Sequence, residues 1–388
     1  MKKVFDTPFT VEKIIDLIPD QKVRKLSSTT NVDYQVKKLY GRSVFYLLLY
    51  GILDSTKVSL RTLEDIFNST KFRFLYNIDC SGTIKYNSIS DRLATINPDY
   101  FKEIYQDIYD HFSKMYTPDE ALLFSITRVD STMVAEAANK LKDGMKVGRR
   151  TDKKQVKYTF QLTDLLPSSV EIFTQQSALS EDIAIVQTIL KNIDQHKNNI
   201  IVFDRGVAKR QFYDDLEEKE KLFVTRVRET SKYELCSKNT VINQEVNNLQ
   251  VKSDEFVYLF NKKNQKSGPF RLIKTLKKDG HQIWFLTNHK SISEKDVILI
   301  YQKRWDIEVF FRFIKQELNF SHLLSTNTNG IKVVLYITMI LAILLLIYKK
   351  QNNLGYKRAV NRFRIELDEL ITKSIITICG GDPSLVFR

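Results

Sequence analysis

Four residues in the stretch YQKRWDIEVFFRFIKQEL carry side chains suited to work on a phosphodiester: Tyr301, Arg304, Glu308 and Lys315. They stand three, four and seven residues apart. On one continuous helix turning about 100° per residue, with Tyr301 at 0°, the other three fall near ~300°, ~340° and ~320°, an arc of about 60°. Asp306 and Glu317 fall on another side, and the apolar stripe of Ile307, Phe310, Phe311, Ile314 and Leu318 lies beside the arc. An Arg304–Glu308 pair alone would be an ordinary i,i+4 salt bridge. One carboxylate grouped with two cations and a phenol, flanked by apolar residues, exceeds what an exposed helix face requires.

Two more acids complete the set. Asp130 directly follows the apolar run ALLFSITRV, and Asp204 directly follows NIIVF. Taken singly, each reads as a strand-end turn residue. If the two strands are parallel neighbours, their ends bring both carboxylates to one sheet edge, and Glu308 from a later helix can join them. A site of oxygen donors with no histidine suits Mg²⁺ or Mn²⁺. Two such ions, about 3.5–4 Å apart, activate a water or a 3′-hydroxyl and stabilise the leaving oxygen of a phosphodiester. Arg304 and Lys315 would then hold backbone phosphates.

The composition fits a nucleic-acid partner. The 388 residues are 43% hydrophobic, too apolar for a disordered chain, and carry 60 basic against 46 acidic residues, a net charge of +14. The excess is uneven: residues 1–120 hold 17 basic and 16 acidic residues, so nearly all of it lies beyond them. The densest run is 140–157, where Lys140, Lys142, Lys146, Arg149, Arg150, Lys153, Lys154 and Lys157 face only Asp143 and Asp152. Gly144 and Gly148 suit a flexible segment draped on phosphates, so Arg149, Arg150, Lys153 and Lys154 are candidate DNA contacts; a solvated basic loop is the plainer alternative. Cys80, Cys236 and Cys379 are far apart and the five histidines lack ligand spacing, which argues against a disulfide framework and a zinc site. The N-terminus MKKVFDTPFT has no apolar signal core, which points to the cytoplasm. Val333–Tyr348 is a sixteen-residue apolar stretch interrupted by Thr338, short of the roughly 20 a bilayer needs, and reads as a buried helix.

The elements that must position these residues follow from patterning. Residues 1–118 read as a mostly helical N-terminal domain, either a DNA-binding head of helix-turn-helix type or a plain bundle. Its signals are a long apolar-periodic stretch from Val32 to Leu53, Ser59 capping SLRTLEDIF, and Asn97-Pro98 opening another helix. From 119 to about 350 strands alternate with helices, as in an α/β domain with parallel neighbours. A β-rich insertion occupies about 231–281, with turn signals at Ser267-Gly268-Pro269 and Asp279-Gly280. One helix or a pair covers 293–318, and 351–388 is a basic tail with helical character.

Together Tyr301, Arg304, Glu308 and Lys315 form an unbroken Y-x2-R-x3-E-x6-K, and the segments ITRVDSTMV and VFDRG resemble the two aspartate blocks that accompany it. The chain thus resembles the DD-E transposases of bacterial insertion sequences of the insertion-sequence-four type, over about residues 120–350. The resemblance implies a ribonuclease-H-like core with a β insertion between Asp204 and Glu308. It also implies hydrolysis at the element's ends, strand transfer by the freed 3′-hydroxyl, and a homodimer on double-stranded DNA bearing terminal inverted repeats. The expected location is a bacterial cytoplasm, at the nucleoid when DNA is bound. In relatives a Trp before the signature helix stacks on a flipped base. Trp284 is the candidate here, but aligned on Leu286-Thr287 it sits one residue off, with Ile283 in that slot, and a one-residue slip reverses the face. A ribonuclease-H-like nuclease or resolvase without strand transfer, and an inactive DNA-binding relic, are the rival readings.

Overall fold

The structure is a computed structural model that describes residues 10–11, 18, 20–54, 57–76, 82–116, 124–141, 143–193, 199–240 and 245–387. Cys80, Lys142, residues 121–123 and the expected boundary at Pro118 lie outside them. The chain divides into two compact units: residues 120–133 with 156–310, and residues 1–119 with 134–155 and 311–388.

The 120–133 and 156–310 unit is α/β. Its strands are β1 (Ser125–Ala137), β3 (Arg150–Thr163), β4 (Leu166–Phe173), β5 (Asn199–Phe203) and β6 (Phe223–Val227), where β1 and β3 each extend beyond the unit. Strand β1 pairs with β5 in parallel and β5 with β6 in parallel, while β3 and β4 are antiparallel. The order β4-β3-β1-β5-β6 is that of a ribonuclease-H-like core. After Asn199, β5 is apolar to its end because it is buried on both faces, as central parallel strands are. Ile201 and Phe203 join one apolar cluster, and Ile200 and Val202 join another. Helices α7 (Glu181–Lys191) and α8 (Arg210–Glu218) contribute Ile185, Ile189, Phe212 and Tyr213 to the first cluster.

The β-rich segment does not stand apart as a module. Strands β7 (Tyr233–Lys238), β8 (Glu245–Val246), β9 (Leu249–Phe260), β10 (Lys266–Lys277) and β11 (Gln282–Thr287) continue the same sheet. β11 pairs antiparallel with β6, and β10, β9 and β7 follow outward. Gly280, at φ +85, serves the expected turn between β10 and β11. Ser267-Gly268-Pro269, expected as a turn, instead lies within β10 at an irregularity in the β9–β10 ladder, and the reversal occurs earlier, at Asn261–Gln265. Beneath this extension a charged pair is sealed in. Arg271 Nε donates to Asp254 Oδ1 at 2.9 Å, its NH2 to Oδ2 at 2.6 Å, and its NH1 to the Ile292 carbonyl.

In the other unit the helices are α1 (Asp20–Thr29), α2 (Gly41–Asp54), α3 (Leu60–Asn68), α4 (Thr70–Leu75), α5 (Tyr86–Thr95) and α6 (Pro98–Met115). Ser59 caps α3 and Asn97 caps α6 through their side chains, as their positions predict. The periodic stretch 32–53 becomes helical only at Gly41, whose close approach to Val32 leaves no room for a Cβ. After α9 (Glu294–Gln302) and α10 (Trp305–Glu317) come α11 (Thr328–Gln351) and α12 (Tyr356–Ile378), so the tail is largely one helix. By length and composition α11 could cross a membrane, yet its most apolar window is 83% buried in protein. It packs on α6, where Tyr105 and Tyr336 stack with centroids 5.9 Å apart, and Tyr348 donates to Glu366 of α12 at 2.6 Å. The N-terminal helices therefore share a core with helices from the last fifth of the chain.

Asp254→Ala leaves the buried Arg271 charge with only the more distant Glu294 carboxylate, at 3.9 Å. The expected loss is about 3–5 kcal/mol, read as a shift in the urea midpoint of unfolding.

Candidate functional site

The register of β1 on β5 places Val129 opposite Phe203, so Asp130 and Asp204 are the next residues along two adjacent parallel strands. β1 does not stop at Asp130, as the sequence suggested, but continues to Ala137. Asp130 is held by the backbone N–H of Ser131, which donates to its Oδ1 at 2.7 Å.

The signature residues reach this edge from a broken helix. α9 ends at Gln302 and α10 begins at Trp305, so the single-helix projection fails across Lys303 and Arg304. The break is pinned by Arg128, two residues before Asp130: its Nε donates to the Lys303 carbonyl at 2.9 Å and its NH2 pairs with Asp306 at 2.8 Å. Tyr301, at the end of α9, donates its hydroxyl to Asp204 Oδ1 at 3.1 Å. Arg304, in the break, donates NH1 to Asp130 Oδ2 at 3.0 Å and NH2 to Glu308 Oε1 at 2.6 Å. Asp130, Asp204, Tyr301, Arg304 and Glu308 are thus brought together. Lys315 lies further along α10, half-buried and with burial lowering its pKa, in the part of the chain that belongs to the other unit.

A single guanidinium holds two of the three acids. Burial pushes Asp130 up to about 6, against the pull of the Ser131 N–H and the Arg304 charge, and the carboxylates of Glu181 and Asp204 push the same way as burial. Burial and Asp204 raise Tyr301 to about 12, which keeps it a protonated donor. Burial works against the charge of Arg304, but Tyr301, Glu308, Asp130 and Asp204 together hold its pKa above the usual value.

A fourth acid, not anticipated, supports the cluster. Glu181 accepts from buried Lys157 at 2.7 Å and from Ser131 Oγ at 3.1 Å, and Lys157 also donates to the Leu179 carbonyl at 2.7 Å. The sequence offered only a first-turn acid after Ser180, a common pattern at helix starts. A Cβ on Gly206 would stand 3.3 Å from Glu181 Cγ, so this glycine permits the approach.

The donors are carboxylate oxygens, which suit a hard divalent cation. As arranged, no three His, Cys, Asp or Glu among the described residues form a group that could hold an ion. Arg304 bridges the two acids instead, so coordination by all three requires that side chain to move.

Beside Tyr301 and Arg304 opens a cavity of about 750 Å³, walled by Ile283, Phe285, Trp305, Arg226 and Lys277. Trp305 is 55% exposed, and nothing in the pattern had singled it out. Trp284 points the other way. It lies in the apolar cluster on the far face of β11, edge-on to Tyr233 at 5.8 Å, with Lys274 over its indole ring. Strand alternation explains this: Ile283 and Phe285 face α9, and Trp284 cannot share their side.

The basic run also differs from a flexible loop. Residues 145–147 form β2, which pairs antiparallel with the start of β3 across a turn at Gly148, φ +57. Arg149, Arg150 and Lys153 are exposed and Lys154 is half-buried. Arg150 is committed to Asp152 through two hydrogen bonds of 3.1 and 2.8 Å. Lys157 is fully buried against Glu181 and leaves the patch.

The raised Asp130 pKa makes a testable demand on the metal-free protein. A carboxyl raised in the folded state favours folding below its ordinary range, and that contribution is lost as pH rises through about 6. Asp130→Asn should therefore raise stability at pH 8, by at most about 3 kcal/mol, and at pH 4.5 by only about 1 kcal/mol, because the unfolded carboxyl is already largely ionised there. Calorimetric melting at both values checks the sign.

Known proteins are similar to this chain in sequence. The family model described as "Transposase DDE domain" matches residues 124–345. The chain is 29% identical over 154 residues to a putative transposase, y4zB, of Sinorhizobium fredii, covering 39% of this chain and 43% of that protein. It is 27% identical over 285 residues to a probable transposase for insertion sequence element IS5377 of Geobacillus stearothermophilus, covering 72% of each. The aligned part thus spans less than half the length of the Sinorhizobium protein. Among solved structures, the piggyBac transposase synaptic complex with hairpin DNA aligns at a TM-score of 0.49 and 11% identity, over 94% of this chain and 79% of that one. The family match takes in more than half of the sequence and every residue of the carboxylate cluster, and on that ground the chain belongs to the DDE transposases.

Proposed function

We propose that the protein cuts DNA at the ends of an insertion sequence and joins the freed ends to a target duplex, acting as a dimer on paired ends. The observation that carries this reading is the meeting of Asp130, Asp204 and Glu308, drawn from two adjacent strand ends and a helix, around Arg304. The donor chemistry suits two Mg²⁺ or Mn²⁺ held by Asp130, Asp204 and Glu308. When bound, such ions supply charge to the attacking and leaving oxygens.

The protein's own residues then have distinct tasks. Arg304, which balances two carboxylates without DNA, becomes available to a backbone phosphate once those carboxylates are otherwise compensated. A planar guanidinium is suited to that exchange because it grips carboxylate and phosphate in the same bidentate way. Tyr301 stays protonated and donates a hydrogen bond, orienting the strand end. Lys315 and the exposed cations of the β2–β3 hairpin, Arg149 and Lys153 foremost, with Arg150 and Lys154 beside them, add phosphate contacts. The helical N-terminal segment supplies further grip on the ends. Trp284, packed inside, is assigned to the core. An exposed Trp305 beside a cationic cavity is suited to stacking on a base.

In the first step a water oxygen bonds to the phosphorus and the bond to the 3′ oxygen breaks, leaving a 3′-hydroxyl on the element. In the second that hydroxyl oxygen bonds to a target phosphorus and a target 3′ oxygen leaves. One ester replaces another, and the attacking group's proton passes to solvent while the leaving oxygen takes one up. A nuclease or resolvase would perform only the first step.

Glu308→Gln should reduce nicking of an end-containing duplex in Mg²⁺ to background while the variant still melts cooperatively; wild-type cleavage would remove Glu308 from the chemistry. Lys315→Ala should weaken end binding and reduce the slope of log affinity against log salt by about 1, measured by fluorescence anisotropy from 50 to 200 mM salt. Incubating pre-cleaved ends with a plasmid tests for joined product, which separates a transposase from a nuclease.

A further inference from the structure

A second cavity, of about 760 Å³, adjoins the first, and Arg226 lines both. Three separate loops deliver cations to it. Arg205 and Lys209 come from the β5–α8 connection that begins at Asp204, Arg228 from the end of β6, and Lys262 and Lys263 from the β9–β10 turn. All five are exposed, and none is in an ion pair with any described residue. The acid in the described lining, Asp182, is already occupied, accepting from the backbone N–H groups of Ala208 and Lys209 at 2.6 and 2.8 Å. The first turn of α8 also opens onto this space through Arg210 and Gln211, and a helix N-terminus favours anions. Convergent, uncompensated cations in a concavity differ from a solvated charged face, where opposite charges intersperse.

Resting on the transposase reading, we propose that this second cavity is the seat of the target DNA, held through its backbone phosphates. Two observations favour the target over the element's end. The first cavity sets its cations, Arg226, Lys277, Lys278 and Arg304, beside apolar and aromatic walls for a base, at Trp305, Phe285 and Ile283. The second adds Arg210 and Arg226 to the five cations, and its aromatic residues, Tyr213 and Phe260, are buried and half-buried, so it grips phosphates without reading sequence. In-line displacement also requires the strand that supplies the nucleophile and the strand that carries the leaving oxygen to approach the phosphorus from different directions. Tyr301 and Arg304 open onto one cavity and the residues following Asp204 onto the other, so each strand has its own approach to the carboxylates.

The test compares joining with cleavage in the full-length protein. Arg228→Glu/Lys262→Glu/Lys263→Glu and the milder Lys262→Gln/Lys263→Gln are assayed with a labelled element end and a supercoiled plasmid in Mg²⁺. The expected result is a fall of about tenfold or more in the ratio of joined to cleaved ends for the triple variant and a smaller fall for the double. The salt dependence of joining should flatten by about 0.9 for each phosphate no longer neutralised. Lys262→Arg/Lys263→Arg should keep the wild-type ratio. An unchanged ratio in both charge-removing variants overturns the assignment. Equal losses of end binding and joining overturn it too, by placing the element's own end in this cavity. Failure of the wild-type protein to cleave ends at all would instead overturn the underlying transposase reading, and the two failures are distinguishable in one experiment.

Discussion

The site depends on one guanidinium shared between two carboxylates. Asp130 and Glu308 come from a strand and a helix far apart in sequence, and Arg304 spans them at 3.0 and 2.6 Å. Burial, with a smaller push from neighbouring acids, makes Asp130 resist ionisation even beside Arg304, and without that counter-charge the resistance would be greater. Arg304 supplies the counter-charge that holds the acids together as a cluster. The same fork geometry fits a phosphate, so the residue that compensates the carboxylates is also equipped to receive the substrate.

Around that interaction the fold supplies a rigid frame. Parallel pairing of β1 and β5 sets the spacing of the two aspartates, and β5, buried on both faces, cannot shift without exposing NIIVF. Arg128 ties the α9–α10 break to the strand bearing Asp130, so Tyr301, Arg304 and Glu308 arrive in fixed relation to it. Behind Asp130, Lys157, Glu181 and Ser131 form a hydrogen-bonded chain in which a wholly buried ammonium finds two oxygen partners. Buried charges of this kind are costly unless paired, which is why both ends of the chain are occupied. The frame is therefore polar as well as apolar.

Much of this was legible. Alternation and apolar runs marked the strands that carry Asp130 and Asp204, and Ser59, Asn97 and Gly280 acted as their chemistry predicts. Where the reading failed, a tertiary partner intervened. The angular projection assumed one continuous helix, but of the two readings left open, one helix or a pair, the structure has the pair, and Arg128, 175 residues away from Lys303, takes the carbonyl freed at the break. Gly268-Pro269 looks like a turn in isolation but is absorbed into β10 opposite β9. Lys157 reads as one more cation in a basic run, and only the fold turns it inward to Glu181.

By itself the sequence determined the identity of the reactive groups and the order in which they occur: two aspartates after apolar strands, then a tyrosine, arginine, glutamate and lysine at set intervals. It determined the α/β class too, because periodicity and strand-end polarity are local properties. Which groups face one another was decided by tertiary structure. Trp284 lies away from the cavity because β11 has a register on β6, and strand alternation then assigns Ile283 and Phe285 to the side of α9. The cations of Arg205, Arg228 and Lys263 meet in one concavity because three loops converge at the same sheet edge. No spacing along a chain encodes a convergence of that kind, since it arises from strand pairings distant in sequence.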